Sequence, residues 1–366
     1  MKQDLSDAKA VAVPAVPAPL EQIAPPLLAW YRACGRKLPW RSDPTPYRVW
    51  VSEIMLQQTR VETVKPYFAR FIEALPTVKD LAEAPEEQLL KLWEGLGYYS
   101  RVRNMQKAAQ QVMRDYGGAL PRDRDALLSL CGIGSYTAGA ISAFAFGLPE
   151  PAVDGNVLRV VARLTAIDRN ILEPSVKSEF EGYVRAVIPA DAAGDFGQAL
   201  IELGALVCLP GRTESSCGDC PLADLCRARA QGLTGILPVR YKMQTKKEEN
   251  RTVLLICDQS GDHVLLQKRP DKGLLAGLWQ YPNEMGHLSP EQAAQTVRKM
   301  GAEVLAAEPL PAAKHVFTHL IWHMIGYRVT VKELPTACGI AASRQDLQAT
   351  YALPSAFSAY RDKCLP

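Results

Sequence analysis

Four cysteines, Cys208, Cys217, Cys220 and Cys226, have the side-chain type and the spacing to bind metal. Eight, two and five residues separate them, and no histidine lies nearby, since all five histidines follow residue 260. We see no secretory leader and no membrane-spanning stretch, so we expect a reducing compartment, where clustered cysteines bind metal or do catalysis. Structural zinc generally uses two short pairs of ligands. The spacing therefore favours an all-cysteine iron–sulfur cluster, with zinc or unrelated core thiols as the alternatives.

A carboxylate in apolar surroundings suggests acid–base chemistry at a second place. Glu53 lies in the segment 49–56, and on a helix its near neighbours would be Val49, Trp50 and Leu56. Burial among such side chains disfavours the charged form, so we expect a raised pKa and a proton on Glu53 near neutral pH. The alternative is a glutamate that extends from an amphipathic helix into solvent.

A second carboxylate, Asp154, precedes a helical pattern for which Asn156 is the predicted N-cap. A carboxylate at the positive end of a helix is favoured in its ionised form, although Asp154 could instead serve only the turn. One protonated and one ionised carboxyl are what cleavage of a C1′–N glycosidic bond requires: an acid for the departing group and an anion facing an oxocarbenium-like sugar. No histidine of the helical region competes for either role.

Residues 126–145 predict a helix-hairpin-helix between these carboxylates. Gly132 and Gly134 permit a tight turn, and Ser135 or Thr137 can begin the second helix. Amide hydrogens at such a turn can bind DNA phosphates without reading base sequence. Most turns of this kind only connect helices, so this interpretation depends on the carboxylates and cysteines around it.

Patterning along the 366 residues predicts an all-helical domain followed by an α+β domain. Residues 1–24 are rich in Ala and Pro and are predicted to be disordered. The helical domain spans 25–231 with the cysteine loop at 208–226, a polar connector covers 232–250, and the last domain spans 251–366. A net charge of +3 does not by itself suggest DNA, so nucleic acid would have to bind local basic patches.

The last domain has a distinct pattern of short apolar runs. We expect a hairpin around Ser260-Gly261, a helix at 289–300 and a strand at 321–331. His315, His319 and His323 have the spacing of one helical face, although a strand after a turn fits equally well.

The hairpin, the stretch 153–156 and the four-cysteine loop together resemble the helix-hairpin-helix DNA glycosylases of the endonuclease III superfamily, which carry an iron–sulfur cluster. Within that superfamily, Trp40-Arg41, 50–59, 95–101 and the extra C-terminal domain resemble the MutY adenine DNA glycosylases. The resemblance implies one 4Fe–4S cluster on the four cysteines. The usual family spacing between the first two cysteines is six residues, and the eight found here lengthen a surface loop at small entropic cost.

The resemblance implies a monofunctional enzyme that removes adenine mispaired with 8-oxoguanine or guanine from double-stranded DNA and leaves an abasic site. Glu53 would protonate the flipped adenine at N7, and Asp154 would stabilise or transiently bond the sugar cation. Tyr136 and Asn156 would support Asp154 or the attacking water. Relatives that also cut the strand have a lysine at position 136, and Tyr136 cannot form the Schiff base that such a lysine forms.

The segments 265–270 and 277–282 resemble the Nudix fold, but the Glu-rich run that binds magnesium in Nudix hydrolases is missing. Glu291 is the only acidic residue between Glu284 and Glu303, so metal-dependent hydrolysis is not expected. The resemblance makes this domain an 8-oxoguanine recognition domain. The DNA- and lesion-binding residues that it implies are Arg41, Gln58, Tyr98, Gly132, Gly134, Phe317, Thr318, which replaces the serine of many relatives, and His319.

Two other functions stay open. One is an endonuclease III-like glycosylase and lyase for oxidised pyrimidines, which Tyr136 and the C-terminal domain disfavour. The other is a DNA-binding protein without catalysis. We expect a monomeric, bacterial, cytoplasmic protein associated with the nucleoid, without membrane contact, and the sequence does not identify any protein partner.

Overall fold

The computed structural model describes residues 15–211, 217–241 and 246–363. Its internal contacts divide the chain into two compact units, one of residues 1–82 with 107–242 and the other of residues 83–106 with 243–366. The segment 83–106 thus belongs with the C-terminal residues, a pairing that the predicted boundaries did not anticipate. Those boundaries at 24, 231 and 250 stay predictions.

Short helices account for most of the described chain before residue 231, joined by tight turns. A π-helical segment, Ile141–Ala145, continues the second helix of the predicted hairpin, and a 3₁₀ turn covers Ala223–Leu225. The α-helices are α1 (Ala18–Glu21), α2 (Ala24–Cys34), α3 (Pro39–Ser42), α4 (Pro46–Leu56), α5 (Val61–Ala74), α6 (Val78–Glu83), α7 (Glu86–Leu92), α8 (Ser100–Asp115), α9 (Arg124–Leu128), α10 (Ser135–Ala140), α11 (Gly155–Thr165), α12 (Pro174–Val187), α13 (Ala193–Leu206) and α14 (Arg227–Ala230).

The core of the first unit forms around α11, whose side chains are almost all buried, together with α12 and α13. Leu20 and Ile23 pack into this core and are each 1% exposed. The prediction of a disordered tail over residues 1–24 is therefore wrong for residues 18–23, because apolar side chains at this spacing find a partner surface on α11 and α12. Residues 1–14 lie outside the described residues.

The described residues of the second unit form a seven-stranded mixed sheet. Its strands are β1 (Lys247–Asp258), β2 (His263–Lys268), β3 (Trp279–Gln280), β4 (Asn283–Met285), β5 (Val304–Val316), β6 (Leu320–Val331) and β7 (Ile340–Ser343). The main order is β3-β2-β1-β6-β5, with β4 paired to β1 and β7 to β2. β1 and β6 are parallel, whereas β5 and β6 are antiparallel and meet at the turn 317–319.

Side chains alternate along β1 between two cores on opposite faces of this sheet. Val253 and Leu255 belong to the core that includes Phe357 and Tyr360, while Leu254 and Ile256 face the core that includes Val297. The remaining helices are α15 (Pro290–Lys299), α16 (Arg344–Ala349) and α17 (Ser358–Arg361), with 3₁₀ turns at Thr336–Cys338 and Ser355–Phe357.

The predicted fold class, a helical domain followed by an α+β Nudix-like domain, is confirmed. The predicted hairpin is formed by β1 and β2, and Ser289 caps α15 with a reciprocal capping box. β1 begins at Lys247, so residues 247–250 of the predicted connector are part of the sheet. The helical interpretation of His315, His319 and His323 is wrong, because His315 and His323 lie on β5 and β6 and His319 on the turn between them.

Candidate active site

Asp154 is held by the first turn of α11. Its Oδ1 accepts hydrogen bonds from the backbone amides of Asn156 and Val157, each at 2.9 Å, and its Oδ2 accepts one from Nδ2 of Asn156 at 2.7 Å. Asp154 is therefore the N-cap residue, and the prediction of Asn156 in that position is wrong. Asn156 is the second residue of α11, after Gly155. An aspartate can cap from two residues earlier because its short side chain reaches the free amides of the first turn.

Burial raises the pKa of Asp154 above its usual value, and the amides of Val157 and Asn156 and the Asn156 side chain offset only part of this effect. All three hydrogen bonds place N–H donors at the carboxylate, and the positive end of the α11 dipole adds to them. The geometry is thus that of a site which accepts an anion.

Glu53 lies on the inner face of α4, which Thr45 caps through the amide of Arg48. Its side chain is buried together with Val49 and Trp50 of the same helix, with 5% of the residue exposed. Burial raises the pKa of Glu53 from 4.5 to about 7, against the lowering effects of a hydrogen bond from Tyr136 and of the charge on Arg41. The raised pKa expected for this residue is confirmed in direction and cause.

Tyr136 is brought to Glu53 by the hairpin between α9 and α10. Gly132 has φ +78 in this turn, a conformation that favours glycine, and Gly134 precedes α10 with an extended backbone. The Tyr136 hydroxyl donates to Oε2 of Glu53 at 2.5 Å. Burial and the negative charges of Glu53 and Asp154 raise the pKa of Tyr136 well above 10, so the hydroxyl keeps its proton and acts as the donor.

These elements of the first unit enclose a cavity of about 480 Å³, a size typical of ligand pockets. Its lining includes the two carboxylates and four other predicted site residues: Glu53, Asp154, Tyr136, Asn156, Arg41 and Gln58. Gln58 follows α4 with φ +57 and is exposed at the edge of the site. One cavity thus contains both side chains that were singled out for acid–base chemistry; their roles stay predictions.

A buried ion network in the same cavity was not predicted. Glu202 of α13 is fully buried and pairs with Arg36 at 2.6 Å and with Arg41 at 2.9 Å. Burial acts to raise the pKa of Glu202, but the two guanidinium groups outweigh it and the pKa is lowered. A single charge among the apolar residues of 199–206 was the sequence signal for this site.

The four cysteines line a small cavity of about 30 Å³ in the first unit, beside Arg163 and Thr234. The eight cysteines of the described residues are free thiols, so no disulfide competes for them. Within the same part of the chain, no three His, Cys, Asp or Glu side chains are grouped as they would be around a single metal ion. Four thiols around one cavity are a donor set that an all-cysteine iron–sulfur cluster can use.

Two buried arginines of α11 connect the cysteine loop to the candidate active site. Nη1 of Arg163 donates to Sγ of Cys208 at 3.2 Å. Arg159 donates from Nε to the Cys208 carbonyl at 2.7 Å and from Nη2 to Oδ1 of Asn156 at 2.9 Å. Neither arginine was predicted, although two arginines four residues apart on a buried helix are an unusual pattern.

In the second unit, Tyr98 meets the turn between β5 and β6. Tyr98 has φ +49 and is 45% exposed, and its hydroxyl lies 2.8 Å from Oγ1 of Thr318. Phe317 packs edge-on against Trp322, with ring centroids 4.9 Å apart, while Thr318 and His319 are exposed. Four residues predicted to read the lesion therefore lie around one exposed surface; their contact with DNA stays a prediction.

None of the helices in the described ranges has the length and apolar character of a bilayer span.

Two family models match the chain. One, described as the HhH-GPD superfamily of base excision DNA repair proteins, covers residues 51–186, and the other, a NUDIX domain, covers residues 252–363.

Curated relatives match over most of the chain. The adenine DNA glycosylase of Mus musculus is 35% identical over 87% of this chain and 72% of its own length. That of Homo sapiens is 35% identical over 80% of this chain and 64% of its own length, so this chain spans less than two thirds of the human protein. The adenine DNA glycosylase of Buchnera aphidicola subsp. Baizongia pistaciae is 32% identical over 80% of this chain and 82% of its own.

Among solved structures, a thermostable thymine-DNA glycosylase has 27% sequence identity and a TM-score of 0.52. The match covers 56% of this chain and 94% of that one.

Proposed function

This chain belongs to the adenine DNA glycosylase family, an enzyme family of base-excision repair, and we propose that it hydrolyses the glycosidic bond of adenine mispaired with 8-oxoguanine or guanine. The observation that carries the proposal is the cavity of about 480 Å³ that Glu53, Tyr136 and Asp154 line together. The adenine must leave the base stack to enter it, because the atoms that react are inaccessible inside a duplex.

Glu53 acts as the general acid. With its pKa raised to about 7, Glu53 can carry a proton near neutral pH. Its Oε2 accepts from Tyr136, so Oε1 is the oxygen that carries the proton to the departing adenine. Tyr136 keeps the carboxyl in one orientation while that proton moves.

Asp154 stabilises the sugar cation that forms as the bond breaks. Its negative charge is supported by three N–H donors and by the helix end, so it needs no rearrangement when positive charge develops. Asn156 orients Oδ2, and Arg159 in turn orients Asn156. A water molecule then completes hydrolysis at the sugar and leaves an abasic site.

The enzyme is proposed to be monofunctional. Strand cleavage of the lyase type needs an amine that forms a Schiff base with the sugar. Tyr136 occupies the relevant position, and no lysine is among the described residues that line the cavity. The endonuclease III-like lyase is therefore disfavoured.

Gln58 and Tyr98 are proposed to hold the duplex open beside 8-oxoguanine, and Phe317, Thr318 and His319 to contact the lesion. Gly132 and Gly134 bind phosphate through the hairpin amides, and Arg41 faces the base pocket from its pair with Glu202. The partner is double-stranded DNA, bound by a monomer in the bacterial cytoplasm.

Cys208, Cys217, Cys220 and Cys226 are proposed to hold one 4Fe–4S cluster, with Arg163 beside Cys208. A bound cluster would cross-link the chain just after α13 to the start of α14. The carboxylates supply the chemistry of hydrolysis without it.

The test is single-turnover release of adenine from matched duplexes that contain 8-oxoguanine:adenine, guanine:adenine or thymine:adenine. We expect release from the first two and none from the third, with no borohydride-trapped complex on any of them. Release of an oxidised pyrimidine, or efficient trapping, would favour the lyase. Tight binding of the mispairs with no base release from any duplex would favour a non-catalytic protein.

A further inference from the structure

The loop that presents Tyr98, residues 93–101, is held in an unusual backbone conformation. Gly95, Gly97 and Tyr98 have φ values of +99, +70 and +49, and the last is costly for a residue with a side chain. Nη2 of Arg101 donates to the carbonyls of Leu96 and Gly97, each at 3.1 Å. The Arg101 guanidinium also lies over the Tyr98 ring, 5.5 Å from its centroid. Burial lowers the pKa of Arg101 to about 10, which still leaves it charged at neutral pH.

This loop is anchored to the C-terminal residues through Glu94. The Glu94 carboxylate pairs with Arg361 of α17 and accepts a hydrogen bond from the amide of Leu353 at 3.0 Å. Lys91 lies 2.7 Å from its Oε2 and donates to the carbonyls of Leu347 and Tyr351. Both Glu94 and Lys91 are largely buried, so this is a shielded network, in which each charge depends on its partner more than at the surface.

A second anchor lies on the other side of the loop. Arg103 of α8 donates from Nη1 to the carbonyl of Ala276 at 2.8 Å and pairs through Nε with Glu86 of α7 at 2.6 Å. Both ends of the loop are thus attached to the unit that contains Thr318. Tyr98 and Thr318 come from distant parts of the sequence but stand on one body.

We propose that Glu94 is a positioning residue for the Tyr98 wedge: through Arg361, Leu353 and Lys91 it holds Tyr98 against Thr318, so that the two read the 8-oxoguanine side of the mispair as one preformed surface. The inference rests on the proposed function, in which Tyr98 inserts beside the lesion. A preformed surface binds DNA more tightly because the loop does not have to become ordered on binding, which would reduce the affinity.

The experiment compares full-length Glu94→Gln and Tyr98→Leu with Glu87→Gln as the matched control. Glu87 lies on the same stretch of chain, is exposed, and takes no part in the Glu94 network. The first measurement is the ratio of single-turnover rates on 8-oxoguanine:adenine and guanine:adenine duplexes. The second is the fluorescence of 2-aminopurine placed next to 8-oxoguanine, which reports unstacking by the wedge.

We expect Glu94→Gln to lower the rate ratio roughly tenfold, the size expected for a lost charged hydrogen bond. The fluorescence increase on binding should fall with it, and Glu87→Gln should match the wild type in both measurements. Arg361→Lys should restore part of what Arg361→Gln loses, and this pair replaces Glu94→Gln should that variant fail to fold.

The outcomes separate the two proposals. If Tyr98→Leu changes neither the ratio nor the fluorescence, the wedge assignment in the proposed function fails. If Tyr98→Leu lowers both while Glu94→Gln behaves like Glu87→Gln, the wedge stands and the positioning role is overturned. If Glu94→Gln loses rate equally on both duplexes and leaves the fluorescence unchanged, Glu94 has only a structural role and the positioning proposal is overturned.

Discussion

At the scale of single residues, the two carboxylates of the cavity are both buried, and burial raises the pKa of both, but they differ in their hydrogen bonds. Glu53 is surrounded by apolar side chains and one hydroxyl donor, and burial raises its pKa to about 7. Asp154 is also buried but receives three N–H donors at a helix end. This difference in hydrogen bonding, more than the proximity of the two residues, suits Glu53 to donate a proton and Asp154 to face a cation.

Adenine release should therefore follow the protonation of Glu53. Because the acid form is present below a pKa of about 7, we expect the single-turnover rate to be constant at low pH and to fall about tenfold per pH unit above it. Glu53→Gln should bind mispaired DNA and lose roughly 10²–10⁴-fold in rate. A rate that rises with pH above 7, or retained turnover in Glu53→Gln, would contradict the acid role.

The same residue should reduce stability at high pH. Its pKa is about 7 in the folded state and 4.5 in the unfolded chain, so the stability it contributes is complete below pH 4.5 and is lost as pH rises through 7. Glu53→Gln should then raise the free energy of unfolding at pH 8 by about 3 kcal/mol, measured as a higher melting temperature, and by much less at pH 5. The exposed Glu87→Gln should show no such dependence, and an equal effect of Glu53→Gln at both pH values would contradict the burial argument.

At the scale of elements, α10 and α11 position the side chains that are proposed to carry out the reaction. α10 brings Tyr136 to Glu53, and α11 begins at Asp154 and continues to Arg159 and Arg163, which contact the Cys208 backbone and thiol. One helix thus connects the anion site with the cysteine loop. Substitutions at two glycines of the hairpin region can test its packing and its proposed contact with DNA separately.

Gly139→Ala and Gly134→Ala should have different effects. A Cβ on Gly139 would lie 1.9 Å from the carbonyl oxygen of Pro151, so we expect a loss of about 1–3 kcal/mol and a lower melting temperature. A Cβ on Gly134 would meet no atom within 4 Å, and its φ of −99 suits alanine, so its melting temperature should stay within about 1 °C of wild type. Its DNA affinity should fall roughly three- to tenfold, because the added methyl group would obstruct the close approach of a phosphate to the turn amides. Unchanged affinity in Gly134→Ala would remove this turn from the phosphate contacts.

The cysteine loop makes a separate prediction about metal content. Protein purified without oxygen should contain about four iron atoms and about four acid-labile sulfides per chain. Cys220→Ser should lower both, and Cys34→Ser, which changes an exposed thiol of the same unit, should lower neither. One zinc per chain and no sulfide would contradict the cluster.

At the scale of the whole molecule, the unit that contains the sheet also includes residues 83–106. Tyr98 and Thr318, which are proposed to read the lesion, therefore come from two separate stretches of chain within one unit. Removal of the C-terminal stretch would leave Lys91, Glu94 and Arg103 without their partners in 276–361.

A chain that ends at residue 242 tests whether residues 83–106 depend on the C-terminal stretch for their structure. We expect faster hydrogen exchange throughout 83–106, because its buried hydrogen bonds to the C-terminal residues are gone. Exchange in α11, whose core contacts lie within the first unit, should change little. The preference for 8-oxoguanine:adenine over guanine:adenine should be lost, and unchanged exchange in 83–106 would contradict the division of the chain.

Local patterns in the sequence were enough for much of the fold and for part of the site. Helical and strand periodicity and the turn at Ser260-Gly261 depend on neighbours within a few residues, so α15, β1, β2 and β6 could be predicted. The cysteine set and the expectation of a buried Glu53 also came from spacing alone. The cap of α11 was misplaced by two residues, because both Asp154 and Asn156 can cap and only the backbone geometry distinguishes them.

The tertiary structure decided what depends on contacts between distant residues. It brought Glu53 and Asp154, which are 101 residues apart in the sequence, into one cavity. It also paired Arg36 and Arg41 with Glu202 and joined residues 83–106 to the C-terminal unit. A charge on a helix can be solvated, capped or paired, and sequence spacing does not distinguish these states. The partner of each buried charge is determined only when the chain packs, because a charge that is buried without a partner costs several kcal/mol of stability.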